Sequence, residues 1–209
     1  QLLAALPIPR VDQQIYTTTL TYAGVRTSAL QRQMNAEMGK VWERAGRPKV
    51  HYYGLFARYD NPTDPKGRAQ GGPGGVAGTP GFFGFGEYYT FQPMSLLNPH
   101  EIGHNLGREH VNCGNPAFPD LAYPHPKQQI SNVESGDEAY YGYNIVTRAI
   151  YPPTHKDLMG YCVPEWISPY TYKAMMERLK IHYGAPAQNN AAGKASSSAG
   201  RPSLLVTGR

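Results

Sequence analysis

His100-Glu101-Ile102-Gly103-His104-Asn105-Leu106-Gly107-Arg108-Glu109-His110 is the stretch on which the reading of this 209-residue chain turns. Asn98 followed by Pro99 reads as a helix start, with Asn as cap and Pro at the first helical position. The predicted helix runs to about Leu106, and Gly107 ends it. On a helix, residues four apart share a face, so His100 and His104 can bind one metal ion. Gly107 lets the chain turn so that His110 swings back as a third ligand. Three neutral imidazoles leave a fourth position for water, the pattern of a catalytic zinc site rather than a closed structural one. Glu101 lies on the side where that water would sit. The bland alternative, a helix with surface histidines, is disfavoured, because ordinary residue usage gives these five fixed positions odds on the order of 10⁻⁵ in such a chain. For Glu101 the bland alternative is an acidic residue that merely stabilises a helix N-terminus.

Working outward from this segment, residues 14–22 (QIYTTTLTY) are rich in β-branched and aromatic residues and read as a strand. Thr27 or Ser28 then caps a helix to about Ala45, with Leu30, Met34, Met38, Val41 and Trp42 at helical spacing as a core stripe. Residues 49–56 and 87–91 read as further strands. The Gly- and Pro-rich run at 61–86 carries Val76, Phe82, Phe83 and Phe85, which point to short strands and tight turns against a core. No long periodic segment is visible between Cys113 and Pro153. Ser168-Pro169 starts a second convincing helix over 170–183. From Ala185 to Arg209 the composition shifts to Ala, Gly, Ser, Asn and Gln, as in a disordered tail or inter-domain linker. The predicted organisation is therefore a domain over 1–184 and a tail over 185–209.

Composition excludes several classes. The net charge of +5 is spread without a dense basic cluster, which argues against nucleic acid as a partner. No apolar run is long enough to span a membrane. The two cysteines, Cys113 and Cys162, form no C-x-x-C pair, so a thioredoxin-like or four-sulfur zinc site is excluded. They read either as two buried thiols or as one disulfide. Asp120 either braces a loop or binds calcium, although no calcium-loop spacing surrounds it. His51, His125, His155 and His182 lack ligand spacing and read as surface or packing residues.

The H-E-x-x-H-x-x-G-x-x-H pattern resembles the zinc motif of the metzincin metallopeptidases. Lys156-Asp157-Leu158-Met159-Gly160-Tyr161-Cys162 is similar to their Met-turn, with Met159 beneath the zinc. Astacins and serralysins carry a tyrosine two residues after that methionine. Tyr161 then either binds zinc or stabilises the oxyanion, or it is an aromatic packing residue. Gly74-Gly75-Val76-Ala77-Gly78, the segment through Cys113-Gly114-Asn115-Pro116, and residues 157–172 resemble a group of bacterial secreted or surface metzincins. That resemblance covers about residues 1–183 and departs from the group at Pro169.

The resemblance implies an α+β metzincin-like fold. An N-terminal subdomain would hold a twisted mixed sheet, a backing helix and the zinc helix. An irregular C-terminal subdomain would hold the Met-turn and a C-terminal helix. Substrate would lie extended along an edge strand at Val76, Ala77 and Gly78, with Val163 and Pro164 walling a pocket. A Cys113–Cys162 disulfide would clamp the third-ligand loop to the Met-turn, implying a secreted or cell-surface protein. The expected activity is a zinc-dependent endopeptidase acting on proteins or peptides, with one catalytic Zn2+ and Glu101 as general base. The chain is expected to be a monomer or part of a larger multidomain protein. The alternatives are a non-catalytic binding module on the same fold, or a zinc hydrolase acting as an exopeptidase or on non-peptide amides.

Overall fold

The β-branched and aromatic runs separated by glycine and proline become short strands around two long helices. A computed structural model describes residues 2–12, 14–17, 28–57, 75–88, 96–184 and 204–208. Its helices are α1 (Leu2–Ala5), α2 (Ser28–Arg44), α3 (Leu97–Asn105) and α4 (Pro169–Tyr183). Its strands are β1 (Gln14–Thr17), β2 (Tyr52–Ala57), β3 (Gly75–Ala77), β4 (Phe83–Tyr88), β5 (Gly142–Tyr143), β6 (Ile150–Tyr151), β7 (Lys156–Asp157), β8 (Glu165–Trp166) and β9 (Leu204–Gly208).

The main sheet is mixed, in the order β1-β9-β2-β4-β3. Its pairings are parallel except for β3 against β4. Strand β3 thus forms an edge of the sheet among the described residues. Alternation along the strands directs neighbouring side chains to opposite faces. Tyr52 and Phe85 pack with Met34 and Met38 of α2, while Tyr53 joins Ile102 of α3 and Leu106 just after it. The sheet therefore carries a helix on each face. The predicted α2 stripe is core, with Val41 and Trp42 packed against it; the Leu30 side chain lies outside the described residues. Trp42 also stacks on Phe82 at a centroid distance of 5.9 Å.

Three expectations are corrected. Helix α3 starts at Leu97 with Leu96 as its cap residue, and no side chain caps it. Asn98 therefore lies inside the first turn, followed by Pro99, whose missing N–H falls among amides that have no helical partner anyway. The last predicted strand, residues 87–91, starts earlier, at Phe83, because Phe83 and Phe85 have a core face to fill; it is described to Tyr88, and residues 89–91 lie outside the described residues. The expected tail contains strand β9, which pairs in parallel with β1 and β2. Its Leu-Leu-Val-Thr run is a good strand former that the surrounding Ala, Gly and Ser masked. Residues 185–203 lie outside the described residues.

Beyond α3 the chain is irregular up to α4, with one short 3-10 turn at Pro126–Gln128 and two-residue strands. Helix α4 starts as expected: Ser168 accepts from Thr171 N–H at 3.2 Å and Pro169 occupies the first turn. Leu158, Met159, Ile130, Trp166 and Met175 fill the core on the α3 side. No helix among the described residues is long and apolar enough to cross a membrane.

Candidate metal centre

The first two histidines stand one turn apart on α3, and the third is delivered by the turn that ends it. Gly107 adopts φ +83°, a conformation that costs glycine little. Its N–H donates to His104 O at 2.7 Å and Arg108 N–H donates to Gly103 O at 2.9 Å, satisfying the last helical carbonyls. The chain reverses there and brings His110 back over the helix.

Each imidazole is oriented by a backbone carbonyl. His100 Nδ1 lies 2.7 Å from Leu158 O, His104 Nδ1 2.7 Å from Arg108 O, and His110 Nδ1 3.2 Å from Ala117 O. A carbonyl only accepts, so every Nδ1 carries the proton and every Nε2 presents a lone pair. The ligand atoms of the three residues lie within 4.8 Å of one another. His104 Nε2 and His110 Nε2 are 3.1 Å apart. Two lone pairs at that distance repel unless a positive charge lies between them. Nitrogen ligands about 2.0–2.1 Å from a tetrahedral ion would be about 3.3 Å apart, so the donor set fits one metal ion.

The electrostatics agree with neutral ligands. Burial, followed by the neighbouring His104, pushes His100 down to about 3. Burial and then His110 take His104 down to about 4. Burial also lowers His110, opposed by its bond to Ala117. At neutral pH, protons do not compete for these sites.

Glu101 is buried, and its Oε2 has no hydrogen-bond partner. Burial pushes its carboxyl up to about 8. A buried carboxyl oxygen with no partner is costly unless a cation or a reacting group uses it. The Glu101 charge also raises the hydroxyls of Tyr53 and Tyr161, after the larger effect of their own burial. Tyr161 is 55% exposed, and its hydroxyl donates to His110 Nε2 at 2.8 Å.

Met159 is fully buried under α3. A Cβ at Gly103 would lie 2.5 Å from Met159 Sδ and 2.6 Å from Met175 Cε, so any other residue there would push both methionine side chains aside. Met159 O accepts from Val111 N–H at 3.0 Å, joining the turn to the His110 loop. Cys113 and Cys162 stand at disulfide distance, S–S 2.05 Å, beside that junction. Tyr161 N–H donates to Cys113 O at 2.8 Å, a second link between the same loops.

The remaining expected residues are less tightly tied to the centre. Val163 and Pro164 are exposed and follow the turn, leading into β8. Val76 and Ala77 lie in edge strand β3, with Gly78 just beyond it. Asp120 braces a loop: its Oδ2 accepts from Arg108 at 2.8 Å and from the Tyr170 hydroxyl at 2.9 Å, and its Oδ1 accepts from Ala122 N–H. The Arg108 guanidinium also stacks over the Tyr170 ring, 4.7 Å from its centroid. Because Asp120 N–H donates to His110 O at 2.7 Å, this brace holds the third histidine.

Sequence reasoning assigned no role to Asn105 or to the Asp157 side chain. With its amide nitrogen turned to face carbonyls, Asn105 donates to Phe83 O at 2.9 Å and Gly78 O at 3.2 Å. Its backbone carbonyl accepts from Gly81 N–H at 3.0 Å, so the end of α3 is fastened to the β3–β4 connection. Asp157 is fully buried. The clue in both cases was a polar side chain beside a ligand motif or its supporting turn.

The chain was compared with protein families, curated proteins and solved structures, and no match was found.

Proposed function

We propose that the protein is a zinc-dependent endopeptidase of metzincin type, with zinc held by His100, His104 and His110. The carrying observation is the convergence of three neutral imidazoles, two of them on the helix that also carries Glu101, a buried residue with an unpartnered carboxyl oxygen. Three imidazoles with room for water fit a catalytic zinc better than a structural one.

When bound, zinc supplies Lewis acidity for the scissile carbonyl and lowers the pKa of coordinated water. Glu101 takes the water proton on its carboxylate and later delivers it to the leaving nitrogen. Burial raises its pKa and a bound cation's charge lowers it, and this opposition lets one carboxyl both accept and return a proton. The Tyr161 hydroxyl, already a donor at His110 Nε2, turns to the developing oxyanion. Strand β3, an edge of the sheet among the described residues, offers backbone groups to an extended substrate, and Asn105 holds the β3–β4 connection in register with α3. Val163 and Pro164 flank the bound chain after the Met-turn. The Cys113–Cys162 pair supports an oxidising, extracellular compartment.

The test is cleavage of casein and of a peptide blocked at both ends, before and after chelation and zinc restoration. Zinc-restored cleavage of the blocked peptide supports the endopeptidase reading. Cleavage confined to free-ended peptides points to an exopeptidase instead.

A further inference from the structure

Peptide unit 158–159 of the turn beneath the histidines is held from both sides. Its carbonyl, Leu158 O, accepts from His100 Nδ1 at 2.7 Å. Its amide, Met159 N–H, donates to Asp157 Oδ1 at 2.8 Å. A carboxylate, a peptide and an imidazole therefore form one continuous hydrogen-bond chain that ends at His100 Nε2.

The carboxylate at the head of this chain is completely buried, and its partners are all neutral. Oδ2 accepts from Ser168 N–H at 3.1 Å. The Tyr123 hydroxyl lies 3.5 Å away but donates its proton to Gln129 O at 2.6 Å. No cation pairs with Asp157 among the described residues. A brace could be built from a neutral side chain, because Asn in place of Asp157 would still accept from Met159 N–H. A buried charge held only by amides has a larger electrostatic reach.

We propose that Asp157 is a positioning residue for the metal centre, acting on His100 through peptide 158–159. Its negative charge polarises that peptide, so Leu158 O becomes a stronger acceptor and His100 Nε2 a stronger donor to the metal. Metal-ligating histidines commonly donate their second N–H to a carboxylate or a carbonyl. Here the two are arranged in series, with the charge one peptide removed from the ring. The other two histidines lack this arrangement: the partner carbonyls of His104 and His110 belong to Arg108 and Ala117. The inference rests on the metal-centre reading above.

The experiment measures zinc affinity by competition with a chromophoric chelator in wild type, Asp157→Asn and Trp42→Ala. The last variant lowers global stability from the α2 cluster, away from the centre. Asp157→Asn is expected to weaken zinc binding by about 10- to 100-fold, the range for partners of ligating histidines. Trp42→Ala is expected to leave affinity unchanged. A second readout is nuclear magnetic resonance of the wild type, in which zinc should move the Met159 amide proton downfield as the chain polarises. If Asp157→Asn does not fold, that resonance decides alone. Equal zinc affinity in wild type and Asp157→Asn overturns the proposal, as does a Met159 amide that ignores zinc. An equal loss of affinity in Trp42→Ala also overturns it, by reducing the effect to general stability. A wild type that binds no zinc removes the metal-centre reading itself.

Discussion

Replacing both Cys113 and Cys162 by alanine separates what the cross-link contributes to stability from what it contributes to the site. The two residues are 49 apart in sequence. Opening a loop of that size returns about 4 kcal/mol of chain entropy to the unfolded state. For a domain of this length that corresponds to a fall in Tm of about 8–16 °C. Alanine adds no polar group at the buried Cys113 position, so the native state loses little else. The two loops remain joined by Val111 N–H to Met159 O and by Tyr161 N–H to Cys113 O. Metal affinity is therefore expected to stay close to that of the wild type. Urea unfolding with chelator present, followed by the fluorescence of Trp42 and Trp166, gives the stability difference. Chelator competition on the folded variant gives the affinity. A loss of stability below about 1 kcal/mol would refute the chain-entropy argument. A collapse of metal affinity would refute the claim that backbone hydrogen bonds suffice to hold the two loops.

Three further outcomes follow from the same geometry. Zinc binding at pH 7 is expected to release close to one proton. The histidines have lowered pKa values and are already neutral there, whereas burial holds Glu101 at about 8 and mostly protonated until the metal's charge draws its pKa down. Calorimetry in buffers of different ionisation enthalpy measures this, and a release near three protons contradicts the neutral-ligand assignment. Asp120→Ala leaves Arg108 without its partner in a pair whose side chains are only 13% and 14% exposed. The expected loss is about 2–4 kcal/mol, somewhat below that for breaking a fully buried pair, and is read by chemical denaturation; a loss under about 1 kcal/mol would mean that the brace is dispensable. Tyr161→Phe is expected to lower kcat about 100-fold with zinc affinity retained, as for loss of one oxyanion donor. An unchanged kcat would make Tyr161 a packing residue.

The centre was legible in the sequence because its spacing is local. His100 and His104 are fixed by the helical repeat, and Gly107 marks the reversal that returns His110. The α2 stripe and the Ser168-Pro169 helix start were visible for the same reason. What escaped notice depended on partners distant in sequence. Asn105 reaches back to Gly78 and Phe83, and the Asp157 carboxylate accepts from the distant Ser168 N–H. Neither pairing has a local period. Strand β9 was hidden because five residues were averaged into a polar, small-residue tail. Asn98 before Pro99 has the composition of a cap, but the helix begins at Leu97, two residues before the predicted Pro99.

The central claim is that this chain is a zinc peptidase whose base is Glu101. Casein cleavage by wild type and Glu101→Ala, with zinc content determined on both proteins, tests it most directly. The account predicts that wild type cleaves, and that Glu101→Ala is inactive while still carrying one zinc per chain, because Glu101 is not a ligand. A wild type that takes up no zinc, or a Glu101→Ala protein that cleaves as fast as wild type, would contradict it.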